Sequence, residues 1–149
     1  MKKIIFSFCF ILVTSCGFKP IFSSSEINFS LNKIEYQNKL GKTIYNNLKH
    51  YLNKSEKKFN YDLFLESTER KEITLKNKKG DASSFRLTIK SKALIIEQEK
   101  LIFEKTYEET FVYNNSSKKF ELSKYEEEIK QSMLNKISEE IILTLYTIQ

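Results

Sequence analysis

The N-terminal segment determines which part of this 149-residue chain is available to form a folded domain. Lys2 and Lys3 precede a mainly apolar run over residues 4–13, and small residues then lead to Cys16. A basic start, a short apolar stretch and small residues before a cleavage point are typical of an export signal that is removed from the mature protein. We therefore predict a signal peptide over residues 1–15 and a fold built only from the residues that follow.

Cys16 stands at the position where such a signal would be cleaved. The arrangement resembles a bacterial lipobox, in which the cysteine is acylated and becomes the first residue of the mature chain. The apolar run is too short for a transmembrane helix, because about 20 apolar residues are needed to cross a hydrocarbon core of ~30 Å. The remaining alternative is an ordinary secretory signal followed by a coincidental cysteine. We predict a covalent lipid on Cys16, no other cofactor, and a lipidated tether over residues 16–25.

The composition of the predicted mature chain excludes several classes of site. Cys9 lies within the signal, so the mature chain has no thiol besides Cys16 and can form neither a disulfide nor a cysteine-ligated metal site. The 134 residues that remain are enough for one domain with a sizeable core. They contain 23 basic and 19 acidic residues, a formal charge of +4. This charge favours an anionic membrane surface, or it reflects only a lysine- and asparagine-rich composition.

Four segments of the predicted domain, residues 26–149, alternate between apolar and polar residues, as strands with one buried face do. The first strand starts near Ile27 and continues after an irregularity at Asn32 and Lys33. The other three follow one another with short turns at residues 77–81 and 97–100, so we expect an antiparallel meander. The apolar face of the last strand is predicted to consist of Leu101, Phe103, Tyr107, Phe111 and Tyr113.

Two segments show helical spacing of apolar residues instead. The first begins near Leu40, with Asn38 as its predicted N-cap. The second lies at the C-terminus, and Ser123 with Glu126 three residues later predicts a capping box at its start. Its apolar stripe is predicted to consist of Tyr125, Ile129, Met133, Ile137, Ile141, Leu145 and Ile148.

This β-α-β-β-β-α order predicts an α+β domain, in which a four-stranded, mainly antiparallel sheet is covered on one face by two helices. The opposite face of the last two strands would then be polar and charged. On that face, the alternation places Arg86, Lys90 and Lys92 beside Glu104 and Glu108.

No set of residues predicts catalysis. His50 is the only histidine, and without a thiol or a carboxylate constellation beside it we interpret it as a surface helix residue. Glycine is too scarce for a phosphate-cradling loop, and a hydrolase using Glu104 or Glu108 is the weaker alternative. We therefore predict a binding or structural protein and not an enzyme. Because the chain is predicted to be exported, we expect no nucleic-acid partner for its lysines.

The start of the predicted mature chain, Cys16-Gly17-Phe18-Lys19-Pro20, resembles the Cys-Gly-Phe opening of the LptE family. LptE proteins are the outer-membrane lipoproteins of the lipopolysaccharide transport machine. The element order, the size of the domain and the lack of catalytic residues are also similar. The resemblance implies a lipid anchor on the periplasmic side of the outer membrane. It also implies a protein that plugs the LptD β-barrel, helps that barrel assemble, and binds lipopolysaccharide on its way to the cell surface.

Contact with lipopolysaccharide requires cations that meet its phosphates, and arginine provides bidentate geometry. The alternative role for such cations is simply to solvate an exposed sheet face. The alternative function is a stand-alone outer-membrane lipoprotein that binds another ligand or inhibits an enzyme. The predicted ligand-binding residues are Arg86, Lys90 and Lys92 on one strand face, with Lys76, Lys78 and Lys79 in the turn beside it.

Overall fold

The computed structural model describes residues 27–54 and 57–149. The predicted signal peptide, the lipid-attachment residue Cys16 and the tether over residues 16–25 lie outside the described residues, so they stay predictions. The element order is β1 (Phe29–Tyr36), α1 (Lys39–Leu48), a 3₁₀ turn (Lys49–Tyr51), β2 (Phe59–Lys76), β3 (Ala82–Glu97), β4 (Lys100–Asn114) and α2 (Lys119–Ile148). The predicted α+β class is confirmed.

The four strands form one sheet in the order β1-β2-β3-β4. β1 pairs in parallel with β2, whereas β2, β3 and β4 form the predicted antiparallel meander. A parallel pair needs a crossover, which α1 supplies by carrying the chain back to the end where β1 began. The irregularity predicted at Asn32 and Lys33 is present as a register shift between Leu31 and Lys33.

Two tight turns define the meander. Between β3 and β4, Gln98 and Glu99 have φ values of +48° and +63°, the left-handed conformation that a two-residue hairpin turn with matching twist requires. Between β2 and β3, the side-chain oxygen of Asn77 accepts hydrogen bonds from the N–H groups of Lys79 and Asp81, each at 2.9 Å. Both turns lie where the sequence predicts them.

The core lies between the sheet and the two helices. The helix-covered face is tied to α2 by tyrosine hydroxyls, because Tyr107 donates to Thr144 at 2.7 Å and Tyr61 donates to the carbonyl of Ile148 at 3.3 Å. The buried apolar residues include Leu63, Leu65, Leu87, Ile89, Ala93 and Ile95 from the sheet, Ile44 and Leu48 from α1, and Met133, Leu134, Ile137, Ile141 and Leu145 from α2. Most of the predicted α2 stripe is therefore in the core.

The start of α1 is as predicted, but the start of α2 is not. The Asn38 side chain accepts a hydrogen bond from the N–H of Gly41 at 3.1 Å, which confirms the N-cap. In contrast, α2 begins at Lys119, and its N-cap Lys118 makes no side-chain capping bond. Ser123 therefore lies inside the helix, and the predicted capping box was wrong. The Glu126 side chain instead bonds to the sheet.

The predicted apolar face of β4 is only partly buried. Tyr107 and Tyr113 are buried, but Leu101 is 50% and Phe111 40% exposed. A register shift beside Ile95 makes Leu101 pair with Ile96, which moves Leu101 to the opposite face of the sheet. Phe111 keeps its predicted side but lies on the edge strand. The prediction for Leu101 was wrong because the extra residue of a bulge cannot be read from alternation.

Candidate ligand-binding face

We call the face of the sheet that the helices leave uncovered the open face. It is mainly polar in the half nearer the β2–β3 turn, and its other half carries the apolar Phe64, Leu94 and Leu101. Leu87 and Ile89 on β3 are buried against the helices, so the intervening residues point the other way. The register then joins side chains from β2, β3 and β4 into rows across the open face. These rows are Glu72, Arg86 and Val112; Arg70, Thr88 and Thr110; and Thr68, Lys90 and Glu108.

Two of the predicted cations on this face are compensated by carboxylates of β4. Lys90 Nζ lies 2.9 Å from Glu108 Oε2, and Lys92 Nζ lies 2.8 Å from Glu104 Oε1. The hydrogen bond to Glu104 raises the pKa of Lys92. All four side chains are substantially exposed, so these pairs neutralise the centre of the open face and add little stability.

Arg86 differs from its neighbours because it forms no ion pair within residues 27–54 and 57–149. The other arginine, Arg70, is paired with Glu72 at 2.8 Å. Both line an open groove of about 650 Å³, together with the hydroxyl-bearing Thr88 and Thr110. Arg86 is therefore a cation of this groove that is free of an ion pair among the described residues, although Glu72 lies opposite it. A guanidinium beside hydroxyl groups suits a phosphate or carboxylate ligand.

The structure does not gather all the predicted ligand-binding residues into one contact site. Lys78 and Lys79 lie in the β2–β3 turn, and Lys76 pairs with Ala82 at the start of β3. Arg86 is four residues along β3 from Ala82, which corresponds to about 13 Å of strand. Lys92 is ten residues along, or about 33 Å. One phosphate group cannot reach the turn and Lys92 together, so Arg86 with the turn is the more compact subset.

The remaining chemistry-bearing residues of the described chain are dispersed. Within residues 27–54 and 57–149, no group of three or more His, Cys, Asp or Glu side chains is placed to hold a metal ion. His50 lies exposed in the 3₁₀ turn, as expected for a surface residue. Glu104 and Glu108, the carboxylates considered for hydrolysis, are each engaged by a lysine. The arrangement is suited to binding, and that the chain is not an enzyme stays a prediction.

A polar cluster on the helix-covered face was missed by the sequence interpretation. Lys71 Nζ and the Tyr113 hydroxyl both donate to Glu126 Oε1, the latter at 2.8 Å, and Lys71 also lies 4.3 Å above the ring of Phe85. Burial alone would raise the pKa of Glu126, but the hydrogen bonds from Lys71 and Tyr113 hold that pKa below its ordinary value. The one sequence feature that could have indicated this cluster is Lys71, a lysine at a position of β2 that faces the helices. This cluster joins the sheet to α2. It lies on the other face of the same strands that line the groove.

No protein-family model matches the sequence, and no curated protein matches it either. The structure, however, is similar to solved lipoproteins. Rare lipoprotein B from Shewanella oneidensis has a TM-score of 0.61 and 11% identity, over 78% of this chain and 96% of that protein. A minor lipoprotein from Acinetobacter baumannii has a TM-score of 0.61 and 15% identity, over 82% and 92%. Lipoprotein B from Nitrosomonas europaea has a TM-score of 0.54 and 13% identity, over 83% and 86%.

This chain has the fold of these lipoproteins. The similarity spans nearly the full length of each structure, while the identities are low enough that it establishes the fold alone. In the described part of the chain, neither helix combines the length and the apolar character needed to cross a membrane.

Proposed function

We propose that this protein is an LptE-type lipoprotein, anchored by a lipid on Cys16 to the periplasmic side of the outer membrane. It would occupy and help assemble an LptD-type β-barrel and deliver lipopolysaccharide to the outer leaflet. The observation that carries the proposal is the fold shared with lipoproteins over 78–83% of the chain. The Cys16-Gly17-Phe18 sequence at the predicted start of the mature chain supports the same assignment independently of the fold.

The open face fits contact with the inside of a barrel. The lumen of a large outer-membrane barrel is polar and water-filled unless something occupies it. A face whose charges are already paired within the sheet, such as Lys90 with Glu108, can approach a polar wall without burying isolated charges. The open face would thus present mostly paired charges to the barrel, and it would offer a ligand phosphate the guanidinium of Arg86, which forms no ion pair among the described residues.

The barrel assignment is tested by capture of the full-length, natively processed protein. A C-terminal affinity tag is added, outer membranes are solubilised in mild detergent, and co-purifying proteins are identified after crosslinking in cells. We expect a large β-barrel in a fixed ratio to the tagged chain. Recovery of the tagged protein as a free monomer, with lipopolysaccharide export intact after deletion of its gene, would instead favour the stand-alone lipoprotein that binds another ligand.

The ligand assignment is tested by substitutions at Arg86. We expect Arg86→Gln to weaken binding of purified lipopolysaccharide by roughly tenfold or more, because a charge-assisted hydrogen bond to phosphate is lost. Arg86→Lys should recover only part of the loss, since lysine lacks bidentate geometry. Lys42→Gln is the matched control, because Lys42 is an exposed cation on α1. Equal binding by Arg86→Gln and Lys42→Gln would remove Arg86 from the site.

A further inference from the structure

The segment that follows α1 places four lysines at one end of the sheet. Residues 49–54 and 57–58, which we name the basic segment, contain Lys49, Lys54, Lys57 and Lys58 and no acidic residue. Glu56 lies between its two parts in the sequence and outside the described residues, so residues 49–58 have a formal charge of +3. Within residues 27–54 and 57–149, none of the four lysines forms an ion pair. The basic segment therefore carries positive charge that the described domain does not compensate.

The backbone on the N-terminal side of this segment is fixed against β1. The N–H of Asn53 donates to the carbonyl of Leu31 at 2.9 Å, and the N–H of Lys54 donates to Ser30 Oγ at 2.9 Å. Ser30 is 1% exposed, and its hydroxyl donates in turn to the carbonyl of Tyr51 at 3.3 Å. Because buried hydrogen bonds set the path of the backbone, residues 51–54 of the basic segment lie at a defined place on the domain.

That place is the end of the sheet from which the chain leads back towards Cys16. The N–H of Phe59 donates to the carbonyl of Asn28 at 3.0 Å, so the end of the basic segment and the first described residues lie side by side. The eleven residues 17–27 lead from Cys16 to Ile27. Even fully extended, they span at most about 40 Å. A lipid on Cys16 would therefore keep this end of the domain within about 40 Å of a bilayer, a distance from which the basic segment can reach it.

The β3–β4 turn lies at the same end of the sheet as the basic segment, and its charge is negative. The β3–β4 turn carries Glu97, Glu99 and Lys100. β1 and β3 are separated by β2, which corresponds to about 10 Å across the sheet. This separation exceeds the Debye length of about 8 Å at physiological ionic strength, so the two halves act largely independently. The positive half is the one beside the start of β1.

We propose that the basic segment is a docking surface for the anionic phospholipid headgroups of the membrane that holds the protein. Each lysine near such a surface contributes about 1 kcal/mol. A covalent lipid retains a chain at a membrane but does not set the orientation of its domain, whereas a charged surface on a fixed backbone does. Docking turns the start of β1 towards the bilayer and the β2–β3 turn away from it. The inference rests on the lipid anchor of the proposed function, but it goes beyond that function because neither a barrel nor lipopolysaccharide is needed for it.

The test is binding of the chain from residue 16, with Cys16→Ser so that no lipid is attached, to phospholipid vesicles. Co-sedimentation compares vesicles of phosphatidylcholine with vesicles in which phosphatidylglycerol replaces a third of it. We expect binding only to the anionic vesicles. The triple variant Lys54→Gln, Lys57→Gln, Lys58→Gln should bind roughly 100-fold more weakly, since three contributions of about 1 kcal/mol are removed.

The control variant removes the same charge elsewhere. Lys39→Gln, Lys42→Gln, Lys124→Gln changes three exposed lysines outside the basic segment and should bind nearly as well as the parent chain. Equal loss in both variants would show that net charge alone drives binding, and unimpaired binding by the first variant would equally overturn the proposal. Thermal unfolding of both variants checks that the fold is intact. Absence of a co-purifying barrel would overturn the proposed function and leave this result standing.

Discussion

The two faces of the sheet both carry ion pairs, but the pairs connect different parts of the molecule. On the helix-covered face they run from the sheet to α2, and most of their carboxylates are shielded, with Glu109 only 15% and Glu126 only 20% exposed. On the open face they run between neighbouring strands, and every partner of the β3–β4 pairs is 38–53% exposed. The covered pairs are Lys71 with Glu126, Lys130 with Glu69, Lys136 with Glu109, and Lys105 with the more exposed Glu140.

The difference shows that ion pairs have two different roles on the two faces of the sheet. Pairs between the sheet and α2 fix where the helix lies, and partial burial strengthens them. Pairs within the open face contribute little to stability, but they neutralise most of its charges, and among the described residues of this face Arg86 and Glu66 form no ion pair. Stability should therefore depend mainly on the covered face, and ligand recognition mainly on the open one.

The largest difference between the faces should appear when the same truncation is made on each. Leu87→Ala removes a side chain that is 1% exposed on the covered face, and we expect a loss of about 2–5 kcal/mol in the free energy of unfolding. Leu101→Ala removes one that is 50% exposed, and should cost no more than about 0.5 kcal/mol. Urea denaturation of both variants measures the contrast. Similar losses would show that the open face is packed against something in the folded protein.

An intermediate effect is expected from the cluster behind the groove. Glu126→Gln should lower the free energy of unfolding by about 1–2 kcal/mol at neutral pH, a value reduced for the 38% exposure of Lys71. Because the pKa of Glu126 is lowered in the folded state, its contribution is present above the ordinary value of 4.5. That contribution is lost as the pH falls through the folded-state value.

Urea denaturation at a series of pH values measures this effect. The difference between the parent chain and Glu126→Gln should shrink in acid, and Glu127→Gln serves as the control. Glu127 is a neighbouring exposed carboxylate whose side chain accepts a hydrogen bond from Gln131 within the same helix. A pH-independent difference for Glu126→Gln would mean that its ionisation does not contribute.

The smallest effect should come from the pairs of the open face. A double-mutant cycle with Lys90→Gln and Glu108→Gln should give a coupling energy of about 0.2–1 kcal/mol that decreases as salt is added. Each variant should leave the cooperativity of unfolding unchanged. A coupling well above this range would show that the open face also holds the sheet together, and the distinction between the faces would lose its basis.

The sequence predicted those parts of the fold that depend on local patterns. Alternation located the strands, the short turns implied the meander, and Asn38 marked the start of α1, because each signal lies within a few residues of its effect. The placement of Lys90 beside Glu108 followed from the same alternation. The register that brings their side chains to 2.9 Å came from the structure.

Predictions failed where a distant residue decides the outcome. Glu126 has the spacing of a capping box, but Lys71 and Tyr113, more than ten residues away, take its carboxylate. Leu101 follows the alternation of β4 until a bulge displaces it. For the candidate site, the sequence identified the charged face. Which strands are neighbours decides that Lys92 is paired with Glu104 and that Glu72 is paired with Arg70 and not with Arg86.

The parallel pairing of β1 has a consequence for the order in which the domain is completed. β1 is the first strand to leave any machinery that delivers the chain from its N-terminus, yet its partner β2 begins only at Phe59. The meander of β2, β3 and β4 needs only short loop closures, which form quickly. β1 must therefore remain unpaired while later residues arrive, and its edge is exposed to other strands during that interval. A partner or chaperone that binds the nascent domain could bind the exposed edge of β1 during this interval.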